Sequence, residues 1–448
     1  MLNNFKQTTT DFESSDTILT PNMSICQSDY PLDRYQKEFV PYAEEYISLP
    51  DRDPKTVIPW MRKYIEPALD TLGDKLLILA HYYMGGEIVK LIKIFGGQVG
   101  DSYELALKAA RNPEKKYIVE AAVHFMAESI SVLANDEQEV FITNPKSGCT
   151  MEMHAKDYMV TPAFEDLNAR YGKENILPIC YMNTSGRLKA MTGAQGGSVC
   201  TSSNVEKIFR WALAHNKKIL FMPDRYMAEN VAIWTGIPKT KIAYWPGGTE
   251  GANFSLDNLD KDALKHFDDS QLICFASHCA VHSYYTSNMV HHWKNLGYTT
   301  LAHPECRPEV VTEVDGYGST KFLWDCVTND RANTKKYAVA TENHMVKNLK
   351  DFCMQRNIEV VNMGEVNDRG MQSVGCGCAT MSRNDPPHLV AMLDLLRQEK
   401  MPDFNLVQPG DVVNEFTGQR QRLDSKGQAW IKENACKALE KMIQITEA

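Results

Sequence analysis

From about residue 55 onward, short apolar runs alternate with longer stretches in which apolar positions recur every three or four residues. The runs are KLLILAHYY, KYIVEAAV, EVFITNP, ILPICYMN, KILFMPD, KIAYWPG, LICFASH, YTTLAHPE, KKYAVATEN and IEVVNMG, each of strand length. Stretches such as NVEKIFRWALAHN and MVKNLKDFCMQRN separate them and carry one apolar face at helical spacing. Continuously apolar strands alternating with amphipathic helices predict an α/β fold with parallel sheets. Residues 1–54 break the pattern. They are rich in Thr, Ser, Asp and Pro and read as an N-terminal extension of unassigned function, loose or draped over the body. At the other end, HLVAMLDLLRQ and AWIKENACKALEKMIQI predict a helical closure over residues 385–448.

Within the alternation one unit is written three times. Each copy opens with an apolar strand that ends in polar residues, reaching Tyr83, Asn183 and Glu305. A small hydroxyl-bearing turn then starts a helix: GDS at Ser102, CTSS at Ser202 and GST at Ser319. Each copy closes on a thiol in SGC, SHC or CGC, namely Cys149, Cys279 and Cys378. A repeat of this kind governs the architecture. It divides the chain into units at 55–160, 161–284 and 285–384. The middle copy is the longest, and its excess falls in a polar segment near 248–271 that reads as a surface insertion leaving the core intact.

Composition narrows the picture. A chain of 448 residues accommodates three units of roughly 100 residues each. A formal net charge of −9 lacks the basic footprint that nucleic acid or an anionic membrane requires. No apolar run approaches the roughly 18 residues of a membrane span, and the first residues show no secretory signal, so a cytoplasmic location is expected. Twelve cysteines in a reducing compartment do not predict a disulfide framework. Cys180, Cys274, Cys326 and Cys353 lie in apolar segments and read as small buried hydrophobes, and Cys436 and Cys26 as inert.

Parallel sheets present their functional residues at the carboxyl ends of strands, where His81, Tyr83, Asn183, His303 and Glu305 fall. The three hydroxyl turns suit helix capping and also anion binding. GGQVGDS and GAQGGS are glycine-rich but lack the spacing of a nucleotide loop. One thiol per unit is the arithmetic of a shared metal centre. Structural zinc and electron-transfer iron–sulfur sites usually take four protein ligands. Three would leave one iron of a 4Fe–4S cluster open to a substrate oxygen. Cys376 stays open as a fourth ligand, a redox partner of Cys378 or a bystander.

Read together and in order, AHYYMGGEI, VGDSYELALKAA, VHFMAES, NPKSGC, YMNTSGRLKA, VCTSSN, FMPDRYMAENV, CAVH, AHPECRPEV, GST, VATE and CATM resemble the quinolinate synthase family, from about residue 70 to KALEKMI in the last helix. The resemblance implies three similar three-layer α/β domains, pseudo-threefold around a central 4Fe–4S cluster held by Cys149, Cys279 and Cys378, with one iron open to substrate. It implies condensation of iminoaspartate with dihydroxyacetone phosphate to quinolinate, with loss of phosphate and water, in de novo NAD biosynthesis and in functional link with L-aspartate oxidase. Tyr83, His303 and Glu305 would be catalytic. His81, Ser102, Tyr181, Asn183, Ser202, His282, Ser319 and Thr320 would bind substrate. No nucleic-acid or membrane partner is implied, and the oligomeric state is left open, a homodimer included. The chain departs from the family at Ser283, where an acidic residue is common, and in SRNDPPH after CATM. Two alternatives are a paralogous iron–sulfur dehydratase or condensing enzyme on another small anionic substrate, and a non-catalytic iron–sulfur redox sensor. The Tyr, His, Glu and hydroxyl sets favour an enzyme, since a redox carrier has no use for them.

Overall fold

The computed structural model describes residues 32–414 and 417–448. All ten anticipated runs form strands, and three shorter strands join them in three parallel sheets. The first sheet holds β1 (Leu76–His81), β2 (Gln98–Gly100), β3 (Tyr117–Ala121) and β4 (Glu139–Ile142) in the order β2-β1-β3-β4. The second holds β5 (Ile176–Tyr181), β6 (Ser198–Cys200), β7 (Lys218–Met222), β8 (Ile242–Pro246) and β9 (Leu272–Ala276) in the order β6-β5-β7-β9-β8. The third holds β10 (Thr299–Ala302), β11 (Gly316–Tyr317), β12 (Lys336–Ala340) and β13 (Glu359–Asn362) in the order β11-β10-β12-β13. Every pairing within these sheets is parallel. In each sheet the leading strand is flanked by a short edge strand and by the third strand in sequence. The same strand of each copy therefore occupies the same place.

Burial on both faces explains the unbroken apolar runs. All six residues of β1 and of β5 are buried. In the third sheet alternation divides two cores. Leu301, Tyr337 and Val339 join the principal cluster, and Ala302, Ala338 and Ala340 face a second one built on Tyr285, Met289, Trp293, Val310 and Val361.

Two segments contribute more than the pattern suggested. The middle sheet's extra length includes a fifth strand, β8, as well as the polar segment that follows it. That segment is helical at Gly248–Asn253 and Lys261–Asp269, and it sends Leu256 and Phe267 into the core, so it is more than a surface insertion. The closure is likewise internal: Pro386–Leu396 is buried throughout and packs on the helix Pro54–Leu72. Of the N-terminal extension, residues 1–31, including Cys26, lie outside the described residues. From Leu32 the chain is docked, with Phe39, Ala43 and Tyr46 buried and Tyr35 donating a hydrogen bond to Asp385 while stacking on His388. The last helix, Ser425–Glu447, lies against the helix Gly186–Ala194. They meet so closely that a Cβ at Gly193 would stand 1.9 Å from the Asn434 carbonyl oxygen. Among the described residues no helix is long and apolar enough to cross a membrane.

One core residue opposes the fold. Glu120 in β3 is fully buried, and neither carboxylate oxygen has a hydrogen-bond partner. Burial alone pushes its pKa up to about 8. Between the unfolded value and about 8 the native state binds the extra proton, so stability falls as pH rises through that window and levels off above it. Glu120→Gln is expected to remove this slope. In urea unfolding the variant should be more stable than the parent at pH 8, by about 4 kcal/mol at most, with the gap closing towards pH 5.

Candidate active site

The carboxyl ends of the leading strands from all three sheets open on one cavity. His81 and Tyr83 reach it from the end of β1, Tyr181 and Asn183 from the end of β5, and His303 and Glu305 from beyond β10. Ser102, Ser202 and Thr320 join them from the turns after the short edge strands, as do His282 and the thiol-bearing residues Cys149, Cys279 and Cys378. Of the residues singled out from the sequence, Ser319 and Cys376 do not line the cavity. The Ser319 hydroxyl accepts the Phe322 N–H at 3.2 Å and caps the helix Thr320–Thr328.

The three thiol turns are held in one way. After β3, β7 and β12 come the helices His124–Leu133, Arg225–Thr235 and Asn343–Cys353. The first N–H of each donates to the carbonyl two residues before a thiol: His124 to Ser147 at 2.8 Å, Arg225 to Ser277 at 2.8 Å and Asn343 to Cys376 at 3.1 Å. Cys376 thus occupies the position of Ser147 and Ser277, is used through its backbone, and is not among the cavity-lining residues. Burial pushes the pKa of all three cavity thiols up, and the neighbouring thiols raise Cys149 and Cys279 further. The Asn183 amide donates to Cys149 Sγ at 3.8 Å, and Cys378 Sγ lies 3.3 Å from Thr380 Oγ1.

Beside the thiols runs a chain of hydrogen bonds. The Thr320 hydroxyl donates to the Tyr83 oxygen at 3.2 Å, and Thr341 Oγ1 lies 3.2 Å from that same oxygen and 3.1 Å from His282 Nε2. His282 Nδ1 is 2.8 Å from Glu305 Oε2, and the Tyr181 hydroxyl donates to Glu305 Oε1 at 2.7 Å. A carboxylate accepts, so Nδ1 carries the proton. Burial would raise the Glu305 pKa. The His282 imidazole and the bonds from His282 and Tyr181 outweigh it and keep the carboxyl ionised. Burial does the reverse to His81 and His303, bringing both down to about 3, so each is a neutral imidazole near pH 7. His303 stacks on His282 with centroids 4.4 Å apart.

A Cys279 sulfur, a His282 nitrogen and a Glu305 oxygen lie within 4.8 Å of one another and form a candidate metal-binding group. Both His282 nitrogens and both Glu305 oxygens are already engaged in hydrogen bonds within the protein. Among the described residues no Lys or Arg lines the cavity, while Asp101 and Glu342 do. Sequence reasoning overlooked Thr341 and Glu342. Both stand just past β12, at a strand's carboxyl end like the residues it selected.

His282→Ala would leave Glu305 buried with Tyr181 as its remaining side-chain partner. Loss of one member of so buried a pair is expected to cost about 3 kcal/mol in urea unfolding of the metal-free chain. The double change His282→Ala with Glu305→Gln should recover part of that loss.

A family model described as quinolinate synthetase A protein matches residues 65–415. The chain is 33% identical over 350 residues to a quinolinate synthase of Geobacillus kaustophilus, covering 78% of this chain and 86% of that protein. It is 32% identical over 366 residues to the quinolinate synthase of Streptomyces coelicolor, covering 81% and 87%. It is 30% identical over 402 residues to that of Anoxybacillus flavithermus, covering 89% and 97%. The matched span takes in all three parallel sheets and the whole cavity lining, and the chain belongs to the quinolinate synthase family.

Proposed function

We propose that this chain condenses iminoaspartate with dihydroxyacetone phosphate, forming quinolinate with release of one phosphate and two waters, in the de novo route to NAD. Family membership over most of the chain is what carries the reading. The architecture we infer is three similar α/β units at 55–160, 161–284 and 285–384, pseudo-threefold about the thiols, with residues 385–448 as the closure. L-Aspartate oxidase would supply the imine.

The cavity's donor set fits a 4Fe–4S cluster. It presents one partly buried thiol from each sheet's neighbourhood, whose ionisation desolvation opposes until a cation compensates, and among the described residues it has no lysine or arginine to compete for that role. Cys149, Cys279 and Cys378 would hold the cluster, and its fourth iron, free of protein, would polarise a substrate oxygen as a Lewis acid. The remaining work falls to side chains. Ser102 and Thr320 open helices of nine residues whose first turns are capped by Asp101 and Ser319, and their hydroxyls with that of Ser202 would receive phosphate and carboxylate oxygens. Ser319 would act only by holding Thr320 at its helix start. The ionised Glu305 suits the role of general base, and Tyr83, whose pKa burial keeps high, that of a proton donor. Neutral His303 accepts the Glu305 N–H at Nδ1 at 3.3 Å, which leaves its Nε2–H as a donor to the groups being dehydrated. His81 accepts the Tyr83 N–H at 3.2 Å, and the Tyr83 ring packs edge-on against its imidazole. Asn183, whose amide donates to Cys149 Sγ, and Tyr181, which donates to Glu305, would border the substrate.

Purified and reconstituted without oxygen, the chain should form quinolinate from the two substrates. Cys149→Ser, Cys279→Ser and Cys378→Ser should each lose iron and activity together. Glu305→Gln should keep its iron and lose at least about 100-fold in kcat. Full iron in all three serine variants would remove the cluster assignment, and an iron-replete but inactive parent would favour the paralogous dehydratase.

A further inference from the structure

The residue immediately before each of the three helices that pin the thiol turns is Val123, Asp224 or Glu342. The latter two are fully buried carboxylates, and each makes two different kinds of contact. Asp224 Oδ1 accepts the Met227 N–H at 2.6 Å, which caps its helix, and Oδ2 accepts the Cys279 N–H at 3.3 Å. Glu342 Oε2 accepts the Met345 N–H at 3.1 Å, and Oε1 accepts both the Cys378 N–H at 3.0 Å and a bond from His344 Nδ1 at 2.9 Å. Two oxygens are needed, one for the helix and one for the thiol turn.

Val123 offers no acceptor, and the first turn is tied elsewhere. The Ser147 hydroxyl donates to the Thr380 carbonyl at 2.8 Å, and the Asn384 amide donates to the Ser147 hydroxyl at 2.7 Å. Both partners lie shortly after Cys378 in the chain, at Thr380 and Asn384, so the turn bearing Cys149 leans on the segment that follows the turn Glu342 holds.

We propose that Asp224 and Glu342 are positioning residues that hold Cys279 and Cys378 in cluster-ligating orientation, each carboxylate joining a helix start to a thiol turn. This rests on the three-cysteine reading above and assigns the support of that set. Groups that orient metal ligands from behind typically govern affinity by ten- to a hundredfold.

The test is iron release to a chelator from the anaerobically reconstituted full chain, followed optically, with the electron paramagnetic resonance spectrum of the reduced protein as a second readout. Asp224→Ala and Glu342→Ala should release iron at least about tenfold faster than the parent and show altered spectra. Asp260→Ala removes a cap of the same kind, which accepts from Asp262 and Ala263 far from any thiol turn, and should release iron at the parent rate. Should the alanine variants fail to fold, Asp224→Asn and Glu342→Gln retain one acceptor of the two and are expected to release iron several-fold faster. Parent-like release from the folded carboxylate variants would overturn the proposal, and so would release from Asp260→Ala as fast as theirs. Cys279→Ser distinguishes the underlying reading: full iron in that variant defeats the cluster itself, whereas iron loss there with parent-like carboxylate variants defeats only the positioning role.

Discussion

The first N–H of a helix has no partner inside that helix, and when buried it must find one elsewhere. In this protein the partners of three such groups, at His124, Arg225 and Asn343, are the carbonyls of the turns that carry Cys149, Cys279 and Cys378. That requirement ties the site to the sheets. A thiol turn that moved would orphan a backbone donor at the end of β3, β7 or β12, so the cavity is tied to the parallel strands. The tie is backbone to backbone, and for that reason it survives differences of side chain at the equivalent positions Ser147, Ser277 and Cys376.

Against this frame the electrostatics are restrained. Among the described residues the cavity is lined by Asp101, Glu305 and Glu342 and by no lysine or arginine, and on the proposed reading anionic substrates would enter it. Helix N-termini and hydroxyls are modest attractors, each worth on the order of 1 kcal/mol. A pocket of that character grips phosphate lightly, which suits a reaction in which phosphate has to leave. Glu305 keeps its charge because His282 and Tyr181 are committed to it. Its basicity is therefore already fixed before substrate arrives.

Much of this was legible in the chain itself. All ten long strands follow from apolar runs, and the polar residues at their carboxyl ends, from His81 to Glu305, fall where parallel sheets place chemistry. The three edge strands were not legible, because two or three residues, as in Gly316–Tyr317, carry no periodicity. Ser319 looked equivalent to Ser102 and Ser202, but hydroxyls that cap and hydroxyls that face a cavity share one sequence signature. Asp224 and Glu342 sit inside FMPDRY and VATE, and their double role depends on contacts with residues 55 and 36 positions away. Nothing local to those motifs encodes it.

The approach of Gly193 to Asn434 has a bearing on how the protein is made. The helix Gly186–Ala194 follows directly on the turn that bears Asn183, and its outer face is covered by the very last helix of the chain. Domains generally fold as they emerge from the ribosome, from the N-terminus onward. Here the cover for the helix behind the Asn183 turn arrives only after Ser425–Glu447 has emerged, later than every strand of the three parallel sheets. A nascent chain with those sheets already formed therefore still lacks the packing that backs the middle strand-end residues.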